Sequence, residues 1–371
     1  FLLKIYVTIS FNKSLPDNEG FSLSKVIDES VKFIRLKKNN DINYKVISRH
    51  KEKLYNNRYY HYINPDNYFT NILSIILKVI IKKALLKRYF DSSSRENIKY
   101  ILALVFFIIL KIKKSDLILF HGSYKVLVFF SKILPKYNFI YYRHGGNMHN
   151  IPPNELNDIV SFCKGRIIHV SRTTHKQVKV AQKKSIVIHN GLSDSEFEKF
   201  RFNKNVIREK IRRKYNLDDN TLVLFMGGII WKPKGYHLAI KALSKFKNDS
   251  IALFIAGDLN SANPNYVEEL FHLSKESGMR TIFLGRLNRQ SLYEHIVSSD
   301  IGLQLSESDK CSEGISIILL EMMFLGLTII CTDSGGTGEV IQNKYNGFII
   351  NINETPDQIS HTIKKLNDTE L

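Results

Sequence analysis

Two carboxylates in one stretch of the chain have a spacing and a setting suited to chemistry. In SEGISIILLEMMFLGLTIICTD, Ser312 to Asp333, nineteen residues separate Glu313 from Asp333, and the only charge among them is Glu321. An ionised carboxylate among Ile, Leu, Met and Phe is costly unless a partner or ligand replaces the lost water. On a helix, Glu321 shares a face with Ile317, Ile318, Phe324 and Leu325, so it lies off any solvated stripe. Hydroxyls of a bound cosubstrate are the compensation expected for it. Glu313 precedes the helix start, and Gly314 permits close approach of backbone to ligand. A helix N-terminus reached from a strand end offers free N–H groups to a phosphate, and carboxylates beside it suit sugar hydroxyls. A nucleotide sugar has both features. Taken alone, Glu313 reads equally well as an ordinary helix-start acid. Glu321, in mid-helix, cannot cap, and its charge together with Gly326 opposes a membrane span.

The elements that must hold these groups alternate between β and α. Strands are expected at Leu2 to Ile9, Leu117 to Phe120, Phe139 to Tyr142, Ile167 to Val170 and Ile186 to Ile188. A second series is expected at Leu222 to Met226, Ala252 to Ala256, Ile282 to Leu284, Ile301 to Leu305 and Leu327 to Cys331. Helical patterns lie near His237 to Phe246, Asn265 to Ser277, Ser291 to Val297 and Ile315 to Leu325. The pattern implies an α/β protein with parallel sheets covered on both faces. Ligands of such sheets sit at the carboxyl ends of the strands. The charged stretch Phe200 to Asn220 lacks a strand and places a domain boundary there, giving domains 1–200 and 201–371.

Composition narrows the classes. A chain of 371 residues, 44% hydrophobic, is long enough for two cores. Cys163, Cys311 and Cys331 show no CxxC spacing, which argues against a disulfide framework or a zinc site and for a reducing cytosol. No secretory pattern opens the sequence. The net charge of +19 is confined to one half: residues 1–200 hold 34 Lys+Arg against 15 Asp+Glu, and residues 201–371 hold 20 of each. A basic half attracts nucleic acid, an anionic membrane or an acidic acceptor. No zinc-finger, RNP or basic-zipper pattern accompanies the charge, so nucleic acid is not the expected partner. Asn71 to Phe90 sets Lys78, Lys82, Lys83, Lys87 and Arg88 along a helix otherwise rich in Ile and Leu, an interfacial pattern that a solvated core helix would also show. Tyr100 to Leu110 is too short to span a bilayer and reads as buried.

The spacing Glu313, seven residues, Glu321, followed by GLTIICTDSGGTGEVI and NGFII, resembles the donor-binding half of family 4 glycosyltransferases, which have the GT-B fold of two Rossmann-like domains facing each other across a cleft. The resemblance continues through LVLFMGGIIWKPKGYHLAIKAL, FIAGD, IFLGRL and LYEHIVSSDIGLQLS, and more thinly through YYRHGG, HVSRTT and IHNGLSDSEF. It implies a retaining hexosyl transfer from a nucleotide-diphosphate sugar to a glycan or lipid-linked acceptor. The expected setting is cell-surface polysaccharide or lipopolysaccharide synthesis in the cytoplasm, peripheral to the inner face of the plasma membrane.

By the same resemblance Glu321 holds the ribose hydroxyls, Glu313 lies near the donor sugar, and Gly314, Ile315 and Ser316 offer backbone N–H groups. Lys234 neutralises the diphosphate, and His144 faces the donor sugar from the first domain. No general base and no metal or other cofactor is expected. Two positions depart from the pattern: Ile229 stands where an arginine usually follows the glycine matching Gly228, and Ser193 replaces an aspartate. Arg286 or Lys232 is the expected substitute for the missing cation. The departures also leave room for a catalytically impaired sugar-nucleotide-binding protein, and the charge for a basic nucleic-acid-binding one.

Overall fold

The computed structural model describes residues 3–9, 42–48, 60–62, 95–121, 124–144, 153–178, 185–246, 251–307, 314–351 and 355–368. Glu313, Cys311, Gly145, Gly146 and the basic segment Asn71 to Phe90 lie outside these residues. Within them the chain forms two parallel sheets. The first contains β1 (Leu3–Ile9), β2 (Ile42–Ser48), β3 (Tyr60–Tyr62), β4 (Leu117–His121), β5 (Asn138–Arg143), β6 (Ile167–His169) and β7 (Ile186–Val187), in the order β3-β2-β1-β4-β5-β6-β7. The second contains β8 (Leu222–Gly227), β9 (Ile251–Ala256), β10 (Arg280–Gly285), β11 (Ile301–Gln304), β12 (Thr328–Thr332) and β13 (Phe348–Ile350), in the order β10-β9-β8-β11-β12-β13.

The helices are α1 (Arg95–Lys111), α2 (Tyr124–Ile133), α3 (Pro153–Phe162), α4 (Arg172–Lys176), α5 (Ser195–Phe202), α6 (Lys204–Lys214), α7 (Tyr236–Leu243), α8 (Pro264–Ser277), α9 (Arg289–Val297), α10 (Ile317–Phe324) and α11 (Thr355–Asp368). Strand alternation sorts the second core into two layers. Leu224 and Met226 of β8 and Leu253 and Ile255 of β9 pack with Ile240 of α7, Leu270 of α8 and Ile359 of α11. Their neighbours Val223, Phe225, Ala252 and Phe254 pack on the other face with Phe200 of α5, Ile296 of α9 and Leu319 of α10. Every residue of β9 is buried, which is why IALFIA reads as an unbroken apolar run. In the first unit, Ile118 and Phe120 of β4 and Phe139 of β5 share a core with Leu102 and Val105 of α1 and Leu127 and Phe130 of α2.

The contacts divide the chain into two compact units: Phe1–Val170 with His175–Ile188, and Ser171–Thr174 with His189–Leu371. The division falls at Ile188–His189 rather than near residue 200. The strandless charged stretch is α5 and α6, and Phe197, Phe200 and Ile211 bury their side chains in the second unit's core. Their apolar positions outweigh the charge around them. Tyr100 to Leu110 is buried over Tyr100–Val105, but Ile109 and Leu110 at its end are 47% and 58% exposed. Among the described residues no helix is long and apolar enough to cross a membrane.

Arg212 of α6 locks the start of the second sheet. Its guanidinium, 2% exposed, donates through Nη1 to the carbonyls of Asp218 (2.8 Å), Asp219 (3.1 Å) and Thr221 (2.8 Å), and through Nη2 to Asp300 Oδ2 (3.0 Å). The same Asp300 oxygen accepts the Val223 N–H at 2.8 Å. Removing the guanidinium leaves three carbonyls without their donor, while Asp300 keeps Arg208 at 2.6 Å, so Arg212→Met is expected to destabilise the second unit by about 1–3 kcal/mol. Urea unfolding followed by circular dichroism measures this, and a loss below about 1 kcal/mol contradicts the role assigned to the guanidinium.

Candidate functional site

The strand order of the second sheet reverses between β8 and β11, from which the chain runs outward to β10 on one side and β13 on the other. A crevice outside the carboxyl ends of two such strands is where open α/β sheets bind ligands. The sequence-derived residues cluster in the segments that leave these two strands. Gly228 follows β8 and donates its N–H to Ala256 O at 2.9 Å, and Lys234 lies in the 3-10 turn Lys232–Lys234 shortly after. Gly314, Ile315 and Ser316 follow β11 and lead into α10.

Glu321 is buried in α10, with 5% of its surface exposed, between Leu320 at 8% and Met322 at 0%. Its Oε1 accepts the Tyr293 hydroxyl at 2.9 Å. Ligand hydroxyls are therefore not the sole compensation for the carboxylate, as the sequence suggested, because α9 supplies a donor from inside the fold. Tyr293 is held between Phe197 (5.0 Å between centroids) and Phe200 (5.2 Å, edge to face). Burial, and next the Glu321 charge, raise its phenol well above its ordinary value, so it stays a donor. Sequence spacing gave no signal for this contact, which joins residues 28 apart on two helices.

The segment before α10 is fixed through its carbonyls. Gly314 O accepts Gly336 N–H at 3.2 Å and Ile315 O accepts Asn190 Nδ2 at 3.1 Å. A Cβ on Gly336 would meet Ile315 Cγ1 and Ser171 Cβ at 2.9 Å each, so only glycine allows this packing. Ser316 occupies the N-cap of α10 with no side-chain capping bond. Nearby, Glu339 accepts the Arg172 N–H (2.7 Å), the Thr173 N–H (2.9 Å), Thr173 Oγ1 (3.1 Å) and His189 Nε2 (3.0 Å). Burial alone would raise its carboxyl; the hydrogen bonds from Arg172, Thr173 and His189 outweigh that and hold it below the usual value. Asn190, Gly336 and Glu339 stand in IHNG and SGGTGE, stretches whose sequence gave them no individual role.

The cations are unevenly placed. The Lys234 turn rests on the exit of β11: Glu307 N–H donates to Pro233 O at 2.8 Å, and Gly235, at φ 78°, is so close that a Cβ would lie 2.3 Å from Leu305 O. Lys232 is turned to Glu269, at 2.7 Å, on α8. Ile229 is 75% exposed and Trp231 47% exposed, so an apolar surface follows Gly228. Arg286 is exposed at the end of β10, two strands from β8, about 10 Å on normal strand spacing. Desolvation would raise the Asp258 carboxyl, but hydrogen bonds from Ser261 and Asn260 outweigh it, and the Arg286 charge lowers it further. Among the described residues no group of three or more His, Cys, Asp or Glu is arranged to hold a metal ion.

His144 belongs to the first unit and follows β5. Its Nε2 lies 2.7 Å from Nδ1 of His121, the last residue of β4, and Tyr142 stacks on it at 4.5 Å. Burial pushes the His144 imidazole down to about 3. Beneath, Arg143 is fully buried, bonded through Nη2 to Gln177 Oε1 at 2.5 Å, and lowered by burial to about 10. Cys163 and Cys331 are free and buried, and burial raises each thiol to about 12, which makes them inert.

Comparison with known proteins adds to this geometry. Residues 207–370 match the family described as glycosyl transferases group 1. Spore coat protein SA of Bacillus subtilis is 31% identical over 166 residues, 43% of this chain and 42% of that protein. An Escherichia coli UDP-Gal:alpha-D-GlcNAc-diphosphoundecaprenol alpha-1,3-galactosyltransferase is 28% identical over 205 residues, 53% of this chain and 49% of that one. The chain thus spans about half or less of these relatives. The crystal structure of Anabaena HepE in complex with UDP-glucose superposes with a TM-score of 0.69 at 16% identity, covering 98% of this chain and 89% of that one. The fold is the α/β GT-B fold of glycosyltransferases.

Two substitutions check the site's internal supports. Tyr293→Phe removes the donor to a buried carboxylate and keeps the ring; a loss of about 1.5–3 kcal/mol in unfolding free energy is expected. Glu339, lowered in the folded state, adds stability above the ordinary value of 4.5 that is lost as pH falls through its folded pKa. Unfolding midpoints should therefore drop with pH below 4.5 more steeply in the parent than in Glu339→Gln. Equal slopes contradict the four-bond arrangement.

Proposed function

We propose that the chain is a retaining glycosyltransferase that moves a hexosyl unit from a nucleotide-diphosphate sugar to a glycan or lipid-linked acceptor, in cell-surface polysaccharide or lipopolysaccharide synthesis. The observation that carries this reading is the buried Glu321 carboxylate behind a helix N-terminus at the sheet's switch point, within the segment that matches glycosyl transferases group 1. Glu321 takes the ribose hydroxyls. Backbone N–H groups of Gly314, Ile315 and Ser316, the turn at Gly228, and Lys234 hold the diphosphate, with Arg286 acting at longer range. Glu313 and His144 serve the donor sugar. The anomeric carbon–oxygen bond to the diphosphate breaks as the acceptor oxygen attacks, and the acceptor proton passes to the leaving phosphate oxygen. No base and no metal is assigned. UDP is the favoured nucleotide, because the Escherichia coli relative is named for UDP-Gal.

The acceptor face belongs to the basic first unit. Ile109 and Leu110 are exposed beside exposed Lys111, Lys113 and Lys114, which suits peripheral contact with an anionic lipid surface. Co-sedimentation with anionic vesicles at low salt is expected to fall when Ile109 and Leu110 are both changed to Ser; unchanged binding removes this face from the reading.

A second reading is favoured by the exposed Ile229: a protein that binds sugar nucleotides without turnover. Mass-spectrometric screening of UDP-, GDP- and ADP-sugars for nucleotide release decides between them. Release that disappears in Glu321→Ala and falls about 10²–10³-fold in Lys234→Ala supports the transferase. Calorimetric binding without release when acceptors are supplied supports the second reading. Affinity for DNA or RNA that falls steeply with salt, with no response to nucleotide sugars, overturns both.

A further inference from the structure

Trp231 is the chain's only tryptophan, and the reaction as described does not use it. It stands on the exit of β8, between the Gly228 turn and Lys234, in the stretch GIIWKPK. Ile230 before it is buried in the second core, so close to Gly257 that a Cβ there would lie 2.6 Å from Ile230 Cδ1. Ile229 and Trp231 on either side are exposed. The backbone at Trp231 is extended (φ −144°, ψ 138°), and side chains alternate along an extended chain, so the inward Ile230 turns its two neighbours to the same outer side. Their Cα atoms are then about 6.6 Å apart. The Trp231 carbonyl accepts the Lys234 N–H at 2.8 Å, and Pro233 O accepts the Glu307 N–H at 2.8 Å, which ties the backbone that carries the indole to the exit of β11. Among the described residues the indole makes no ring contact and no hydrogen bond.

Size and charge select the occupant of this surface. Two side chains make a patch far smaller than the roughly 1,000 Å² of a stable protein interface. An anionic lipid surface would need free cations beside the apolar pair, but Lys232, the adjacent one, is drawn to Glu269, with Nζ 2.7 Å from Oε2. That hydrogen bond holds the Glu269 carboxyl below its usual value, so the pair stays charged and matched. A single six-membered sugar ring fits better. The C–H bonds on one side of a pyranose carry partial positive charge and are attracted to the electron-rich face of an indole, while the hydroxyls remain in water.

We infer that Trp231 and Ile229 form a platform on which a hexopyranose ring lies flat, its C–H face against the indole. The inference rests on the transferase reading, which places the diphosphate at the turns on either side of the platform. The ring belongs either to the donor hexosyl unit or to the acceptor glycan, and both present the same face.

Because no other tryptophan is present, indole fluorescence reports this position alone. Emission is followed while the parent protein receives UDP-glucose, GDP-mannose or ADP-glucose, each compared with its bare nucleoside diphosphate, or the methyl glycosides of glucose, galactose and mannose. Calorimetry measures the binding of each probe. A shift to shorter wavelength is expected with a sugar-bearing probe and not with the bare diphosphate. A shift with the sugar nucleotide identifies the donor ring, and one with a methyl glycoside added beside the diphosphate identifies the acceptor ring. An equal shift with the bare diphosphate, a shift with anionic vesicles only, or no shift with any sugar probe overturns the platform. In Trp231→Ala the affinity for the probe that shifts the indole should fall about tenfold while that for the bare diphosphate stays within about twofold, and Trp231→Phe should keep most of the parent's affinity. A loss shared equally by the diphosphate makes Trp231 a support of the turn and also overturns the inference. If no sugar nucleotide binds, the transferase reading fails, and the methyl glycosides alone decide whether the platform takes a pyranose.

Discussion

The structure of the second unit depends on keeping one carboxylate dry. Glu321 occupies a position in α10 where its neighbours demand an apolar side chain, and the fold accommodates it by sending Tyr293 from α9 to one of its oxygens. That contact obliges α9 and α10 to stay on the same face of the sheet. It also obliges Phe197 and Phe200 of α5 to hold the tyrosine ring in place. An apolar residue at position 321 would make a simpler core, since buried polar groups seldom add net stability over well-packed hydrophobic ones. The proposed function gives a reason for the carboxylate to be kept there: its oxygens are the acceptors that ligand hydroxyls would need.

The parts of the fold that depend on periodicity were legible in the sequence. β8 and β9 alternate their side chains between two core layers, and unbroken apolar runs are the mark of parallel strands covered on both faces. The buried state of Glu321 followed from the same pattern. What escaped was whatever depends on a contact between distant residues or on weakly patterned segments. β2, INYKVIS, mixes Asn, Lys and Ser into its run, and β13 is three residues long. Tyr293 looks like one more aromatic of an amphipathic helix until α10 is packed against it. The boundary was misplaced because charge dominates Phe200 to Asn220, although three apolar side chains in or beside that stretch decide which core it joins.

The basic half of the chain carries a contrast of its own. Its net charge suggests a site working by positive potential, yet the groups at the ends of β4 and β5 are held neutral. His121 Nδ1 and His144 Nε2 lie 2.7 Å apart, and Arg143, next to His144 in the chain, is fully buried. Long-range charge and local chemistry are thus separate properties of that unit. Surface lysines can raise the local concentration of an anionic partner, while neutral, oriented donors discriminate among hydroxyls.

The exposed Ile229 gives the proposed diphosphate site its particular balance. A flexible cation in that position would follow a phosphate through its movements and compensate for a loosely built loop. Without it, stabilisation has to come from groups that are already in place. Gly336 and Asn190 fix the carbonyls of Gly314 and Ile315, which aims the N–H groups of that segment. Gly235 presses the Lys234 turn onto the end of β11, where a single methyl group would force the two apart. Dipoles held rigidly toward developing charge need no reorganisation when the bond breaks, and are most effective where water is absent. In the proposed site the rigidity of the surrounding backbone would thus do part of what a mobile cation does elsewhere.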